Sequence, residues 1–61
     1  GPAIARNARP LWIKDRRLRV KVSDPIWLQE LSYLEAGIRQ RLNAALGRQA
    51  VDKIEFRLNS R

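Results

Sequence analysis

From Arg17 to Val22 apolar and basic residues alternate without a break. Leu18, Val20 and Val22 fall on one side, and Arg17, Arg19 and Lys21 fall on the other. A period of two predicts a half-buried strand with a cationic outer face. Just upstream, Leu11-Trp12-Ile13-Lys14 is β-prone and Asp15-Arg16 offers a short turn, so the two segments read as a hairpin. In its first strand Leu11 and Ile13 are expected on the apolar side, which leaves Trp12 and Lys14 outside with the basic residues.

After Val22 the period changes. Asp24 is placed to accept the first free backbone N–H groups of a helix, and Pro25 is pre-shaped for its first position. Trp27, Leu31, Leu34, Ile38, Leu42 and Ala45 then recur at steps of three and four, and Leu28 and Leu46 widen that stripe. Gln29, Glu30, Ser32, Glu35, Ala36, Arg39, Gln40 and Asn43 occupy the remainder. This predicts one amphipathic helix from Pro25 to Leu46, about 33 Å long if straight. Glu35 and Arg39 stand four apart in the favourable order. Gly37 is expected to permit a kink or a close approach, and Gly47 to supply a left-handed stop. A last strand is expected over residues 51–58, with Ile54, Phe56 and Leu58 inward and Lys53, Glu55 and Arg57 outward.

Residues 3–9 have helical composition and end before Pro10, which restricts the residue preceding it. They read as the end of a helix whose start is missing. The expected architecture is therefore α+β, a single domain over residues 1–61 of the order (α)-β-β-α-β. It would have a three-stranded sheet carrying a long helix on one face. A hairpin alone would be unstable, so the last strand must join the same sheet, beside either the first or the second strand.

Composition narrows the chemistry. The chain has no cysteine and no histidine, which removes the commonest general base, the nucleophilic thiol and the usual zinc ligands. Of its six carboxylates, Asp24 reads as a cap and Asp15 as a turn residue. Glu30 and Glu35 lie five apart on a helix and do not converge. Neither Gly37 nor Gly47 has phosphate-loop spacing. These features point away from catalysis, and no cofactor, metal or small-molecule substrate is expected. A domain this short holds itself together by roughly 3–5 kcal/mol. Absence of cysteine fits a reducing cytoplasm, and no apolar run approaches the ~20 residues of a membrane span.

Charge changes the picture most. Thirteen Lys and Arg face six Asp and Glu, a net +7. Residues 1–22 hold seven basic and one acidic side chain, 7 − 1 = +6; residues 23–61 hold six and five, 6 − 5 = +1. Such clustering points to a polyanion, nucleic acid ahead of a membrane surface. The candidate phosphate-binding residues are Arg9, Lys14, Arg16, Arg17, Arg19, Lys21, Lys53 and Arg57. Trp12 among them is a candidate for stacking on an exposed base, or alternatively a core residue under the N-terminal helix. Trp27 reads as core, and Tyr33, off the centre of the stripe, as a candidate protein contact.

Several landmarks together resemble the DciA family, accessory proteins of the bacterial replicative helicase DnaB. They are Gly1-Pro2 with Ile4-Ala5, Arg9-Pro10, Leu18-x-Val20-x-Val22, and Ser23 to Leu31 around Trp27. Arg41-Leu42-Asn43 and Ile54-x-Phe56-Arg57 complete them. The resemblance implies a K-homology-like domain, native Gly1-Pro2, DNA binding, and a role in loading or operating DnaB at the nucleoid. Single-stranded or forked DNA and DnaB would then be the partners, in the cytoplasm and with no membrane. The chain lacks the G-x-x-G loop with which K-homology domains clamp nucleic acid, so contact would use the basic surface. Two alternatives stay open: an RNA-binding K-homology-like domain, and a pure protein-interaction module for an acidic partner.

Overall fold

The computed structural model describes residues 7–59. The order is β1 (Ala8–Lys14), β2 (Arg17–Val22), α1 (Pro25–Tyr33), α2 (Glu35–Leu46) and β3 (Lys53–Leu58). One three-stranded sheet has the order β1-β2-β3. β1 runs antiparallel to β2, and β3 runs parallel to it on the other side. The last strand thus pairs with the second, and β2 is central. The α+β class with helices on one sheet face is as expected. The helix expected over residues 3–9 lies mostly outside the described residues, but Ala8 and Arg9 already belong to β1, which begins earlier than expected.

The hairpin turns at Asp15 and Arg16, both at positive φ (53° and 64°). A two-residue turn of this hand matches strand twist but favours glycine and asparagine. Arg16 occupies a strained position whose backbone and side chain are both tied down. Its C=O accepts from Asp52 N–H at 2.7 Å. Its guanidinium donates to both Asp52 carboxylate oxygens, at 2.9 and 3.1 Å, and to Gln49 C=O. The tip of the hairpin is therefore fastened to the loop that leads into β3.

β1 departs from simple alternation. Its register slips between Pro10 and Trp12, so that Pro10 pairs with Val20 but Trp12 pairs with Arg19. Leu11 is the extra residue of a bulge and is exposed, a correction to its expected place on the apolar side. The bulge has a clear effect on parity. Ala8 and Pro10 face inward before it; after it Ile13 pairs with Leu18 on the helix side but stays 53% exposed, while Trp12 and Lys14 turn outward. Pro10 is tolerated because β1 is an edge strand.

Asp24 caps α1 as expected, its carboxylate accepting from Ile26 N–H at 2.8 Å, with Pro25 in the first turn. The expected single helix is instead two. Leu34, at φ −94° and ψ 5°, separates α1 from α2. The break is not at Gly37, where an added Cβ would meet nothing within 4 Å, so no close approach requires that glycine. Its reason lies in what α2 does. Glu35, Ile38, Arg39, Leu42 and Asn43 form the covered side of α2, while Leu34 and Ala45 are exposed. Glu35 Oε2 accepts from Ile54 N–H at 2.9 Å, and the Asn43 amide both donates to Val51 C=O and accepts from Val51 N–H, each at 2.9 Å. A straight continuation would keep the apolar stripe in line; the break swings a partly polar side onto the backbone at and before the start of β3. Gly47, at φ 74°, ends α2 in the left-handed conformation.

The core is Val20, Val22, Leu31, Val51 and Ile54, with Trp27, Leu28, Ile38, Leu42 and Phe56 half-buried against it. Val22 and Leu31 are 0% and 1% exposed. Asn43, only 5% exposed, is the buried polar residue among those described, and both halves of its amide are used.

Candidate nucleic-acid interface

The side chains that turn away from the helices form a regular array, because β1, β2 and β3 are in register across the sheet. Arg9 pairs with Lys21 and Lys21 with Arg57. Two residues along β2, Trp12 pairs with Arg19 and Arg19 with Glu55. Two further, Lys14 pairs with Arg17 and Arg17 with Lys53. The outer face is thus three rows of three. Successive rows lie roughly 6.7 Å apart and strands about 4.8 Å apart. Both end rows are entirely cationic. The middle row holds an indole, a guanidinium and a carboxylate. Seven cations face one carboxylate on this surface.

Seven of the eight cationic residues expected from the sequence are brought together here: Arg9, Lys14, Arg17, Arg19, Lys21, Lys53 and Arg57. Arg16 is not on this face; it sits at the hairpin tip, bound to Asp52 and Gln49. Trp12 is 53% exposed, so it is not buried among the described residues. The Arg19 guanidinium lies 5.5 Å from the centre of its ring, within cation–π range.

Glu55 was not among the residues singled out, and it organises the middle of the face. Its Oε1 accepts from Arg19 Nη2 at 3.1 Å and Nε at 3.3 Å, and its Oε2 lies 3.7 Å from Arg17 Nη1. Hydrogen bonding from Arg19, and then the charges of Arg19, Arg17 and Lys53, holds the Glu55 carboxyl below the usual carboxylate range against the opposing effect of burial. Its outward position is readable from Lys53-x-Glu55-x-Arg57, but its partners depend on the parallel register with β2. The Asp52 carboxyl is likewise held low, chiefly by its hydrogen bonds from Arg16.

A cleft of about 190 Å³ opens on this face, lined by Trp12, Lys14, Asp15, Arg17, Arg19 and Glu55. Chemically the surface offers separated cations for anionic oxygens and one accessible indole for a flat ring. Among the described residues no three carboxylates converge as a metal site would need, and no helix is long and apolar enough to cross a membrane.

The family model described as "Dna[CI] antecedent, DciA" matches residues 1–56 of the chain. No curated protein matches it.

Proposed function

The chain belongs to the DciA family, and from that premise we propose that it is a non-enzymatic module that binds DNA through the outer face of its sheet. Family membership ties it to bacterial replication and to the DnaB helicase. The proposed step is electrostatic. Lys14, Arg17 and Lys53 at one end of the face and Arg9, Lys21 and Arg57 at the other take up phosphates of single-stranded or forked DNA. Another surface is left for the helicase, in the cytoplasm at the replication fork. The observation that carries this reading is the pair of all-cationic rows on a sheet face that no described element covers. Each phosphate neutralised releases condensed counterions, so affinity should fall steeply with salt.

Fluorescence anisotropy of a labelled single-stranded oligonucleotide, titrated at several salt concentrations, tests it. Three or four phosphate contacts predict a log–log slope of roughly −2 to −3. That slope should flatten when Lys14, Arg17 and Lys21 are replaced together by Gln. No binding at low salt would reject the face as a DNA site. Preferential competition by RNA would transfer the same surface to the RNA-binding reading. Binding confined to DnaB would leave a protein-interaction module.

A further inference from the structure

The middle row of the outer face is built differently from the rows that flank it. A face meant only to accumulate positive charge has no use for a carboxylate at its centre. Glu55 stands there with both oxygens directed at guanidinium groups, Oε1 at Arg19 and Oε2 toward Arg17. Two oxygens bridging two arginines is the contact a phosphate would make in the same place. The Arg19 guanidinium is shared between this carboxylate and the Trp12 ring. The indole nevertheless keeps half its surface exposed, at the wall of a cleft that also contains Lys14 and Arg17.

We propose that Trp12, Lys14, Arg17 and Arg19 form a single-nucleotide subsite in which Glu55 holds the place of a phosphate until DNA displaces it. The inference rests on the reading of this face as a DNA surface and adds how the centre of that surface works. An unpaired base stacks on Trp12, and its phosphate takes over Arg17 and Arg19 from Glu55. The released carboxylate turns to water beside Lys53, which faces it from the same strand. Two consequences follow. The subsite discriminates for single strands, because a base held in a duplex cannot present its face to the indole. Glu55 also keeps affinity below what the cations alone would give, so the strand is held loosely enough to be passed on.

The experiment compares the wild-type chain with Glu55→Gln, Glu55→Ala, Trp12→Ala and Glu30→Gln. Binding to a labelled oligothymidine and to a duplex of equal length is measured at several salt concentrations, with circular dichroism to verify folding. Glu30 is exposed on α1, and its neutralisation changes net charge by the same amount. Both Glu55 variants should bind the single strand several-fold tighter than Glu30→Gln does, with a similar salt slope, because the same phosphate is neutralised in each. Trp12→Ala should lose about 5- to 150-fold in single-strand affinity, the equivalent of one stacked base at about 1–3 kcal/mol, and leave duplex binding within about twofold. If folded Glu55→Gln binds no tighter than Glu30→Gln, Glu55 is not a phosphate stand-in. If Trp12→Ala weakens single strand and duplex alike, there is no base subsite. If no variant binds DNA at all, the DNA reading itself fails and the subsite with it.

Discussion

The two faces of one sheet are made from neighbouring residues of the same strands, yet they do opposite things. Along β2, Val20 and Val22 are buried while Lys21 between them is exposed. The inner face packs Leu31, Val51 and Ile54 into the core. The outer face gathers seven cations around one carboxylate. Burial on the first face supplies most of the stability of so small a domain. The second can therefore be shaped by its ligand with little consequence for folding. If that separation is real, substitutions should divide cleanly between those that unfold the chain and those that only silence it.

The largest effect is expected inside. Leu31→Ala removes a fully buried side chain and should cost about 2–5 kcal/mol, comparable with the whole stability expected of the domain, so urea titration should find it largely unfolded. Asn43→Ala should come next. It leaves the buried Val51 N–H without its acceptor, at roughly 1–3 kcal/mol, and a shifted urea midpoint with an unchanged slope would show it. Replacing Lys14, Arg17 and Lys21 by Gln should do the reverse, moving stability by no more than about 0.5 kcal/mol while removing most DNA affinity at moderate salt. A large loss of stability in that variant would show that the two faces are not independent.

Acid sharpens it further. The Glu35 carboxyl is held below the usual carboxylate range by its hydrogen bonds from Arg39, helped by Ile54 N–H, against a smaller opposing effect of burial. A carboxylate depressed in the folded state contributes stability that is complete above its unfolded value, about 4.3 for Glu. That stability is lost as the pH falls through the lower folded value. Glu35→Gln should therefore flatten the acid side of a stability–pH profile, measured by urea titration from neutral pH downward. The smallest effect is expected away from both faces. A Cβ at Gly37 meets open space, so Gly37→Ala should stabilise the domain by about 0.5–1 kcal/mol.

What the sequence disclosed and what it hid divide along similar physical lines. Local features were legible: the alternation of β2, the Asp24 cap, the Asp15-Arg16 turn, the Glu35–Arg39 pair and the Gly47 stop each depend on a few neighbouring residues. The cationic positions of the outer face were legible too, because alternation alone assigns them. Features set by distant partners were not. The bulge at Leu11 answers to the register with β2. The break at Leu34 exists so that Glu35 and Asn43, counted as polar and hence outward, can meet the backbone of Ile54 and Val51. Arg16 looked like one more surface cation, and its tie to Asp52 spans the whole helical region. Glu55 was visible as the odd charge out, but its bond to Arg19 requires knowing that β3 lies parallel to β2.

DNA is proposed to sit on the sheet face opposite the helices. The most direct test is a ¹⁵N–¹H correlation spectrum of the whole chain, titrated with a short single-stranded oligonucleotide. Shifts are expected to concentrate at Arg9, Trp12, Lys14, Arg17, Arg19, Lys21, Lys53, Glu55 and Arg57, including the Trp12 indole N–H and the Arg19 Nε–H. Shifts centred on the exposed sides of α1 and α2, with the three strands unmoved, would contradict it.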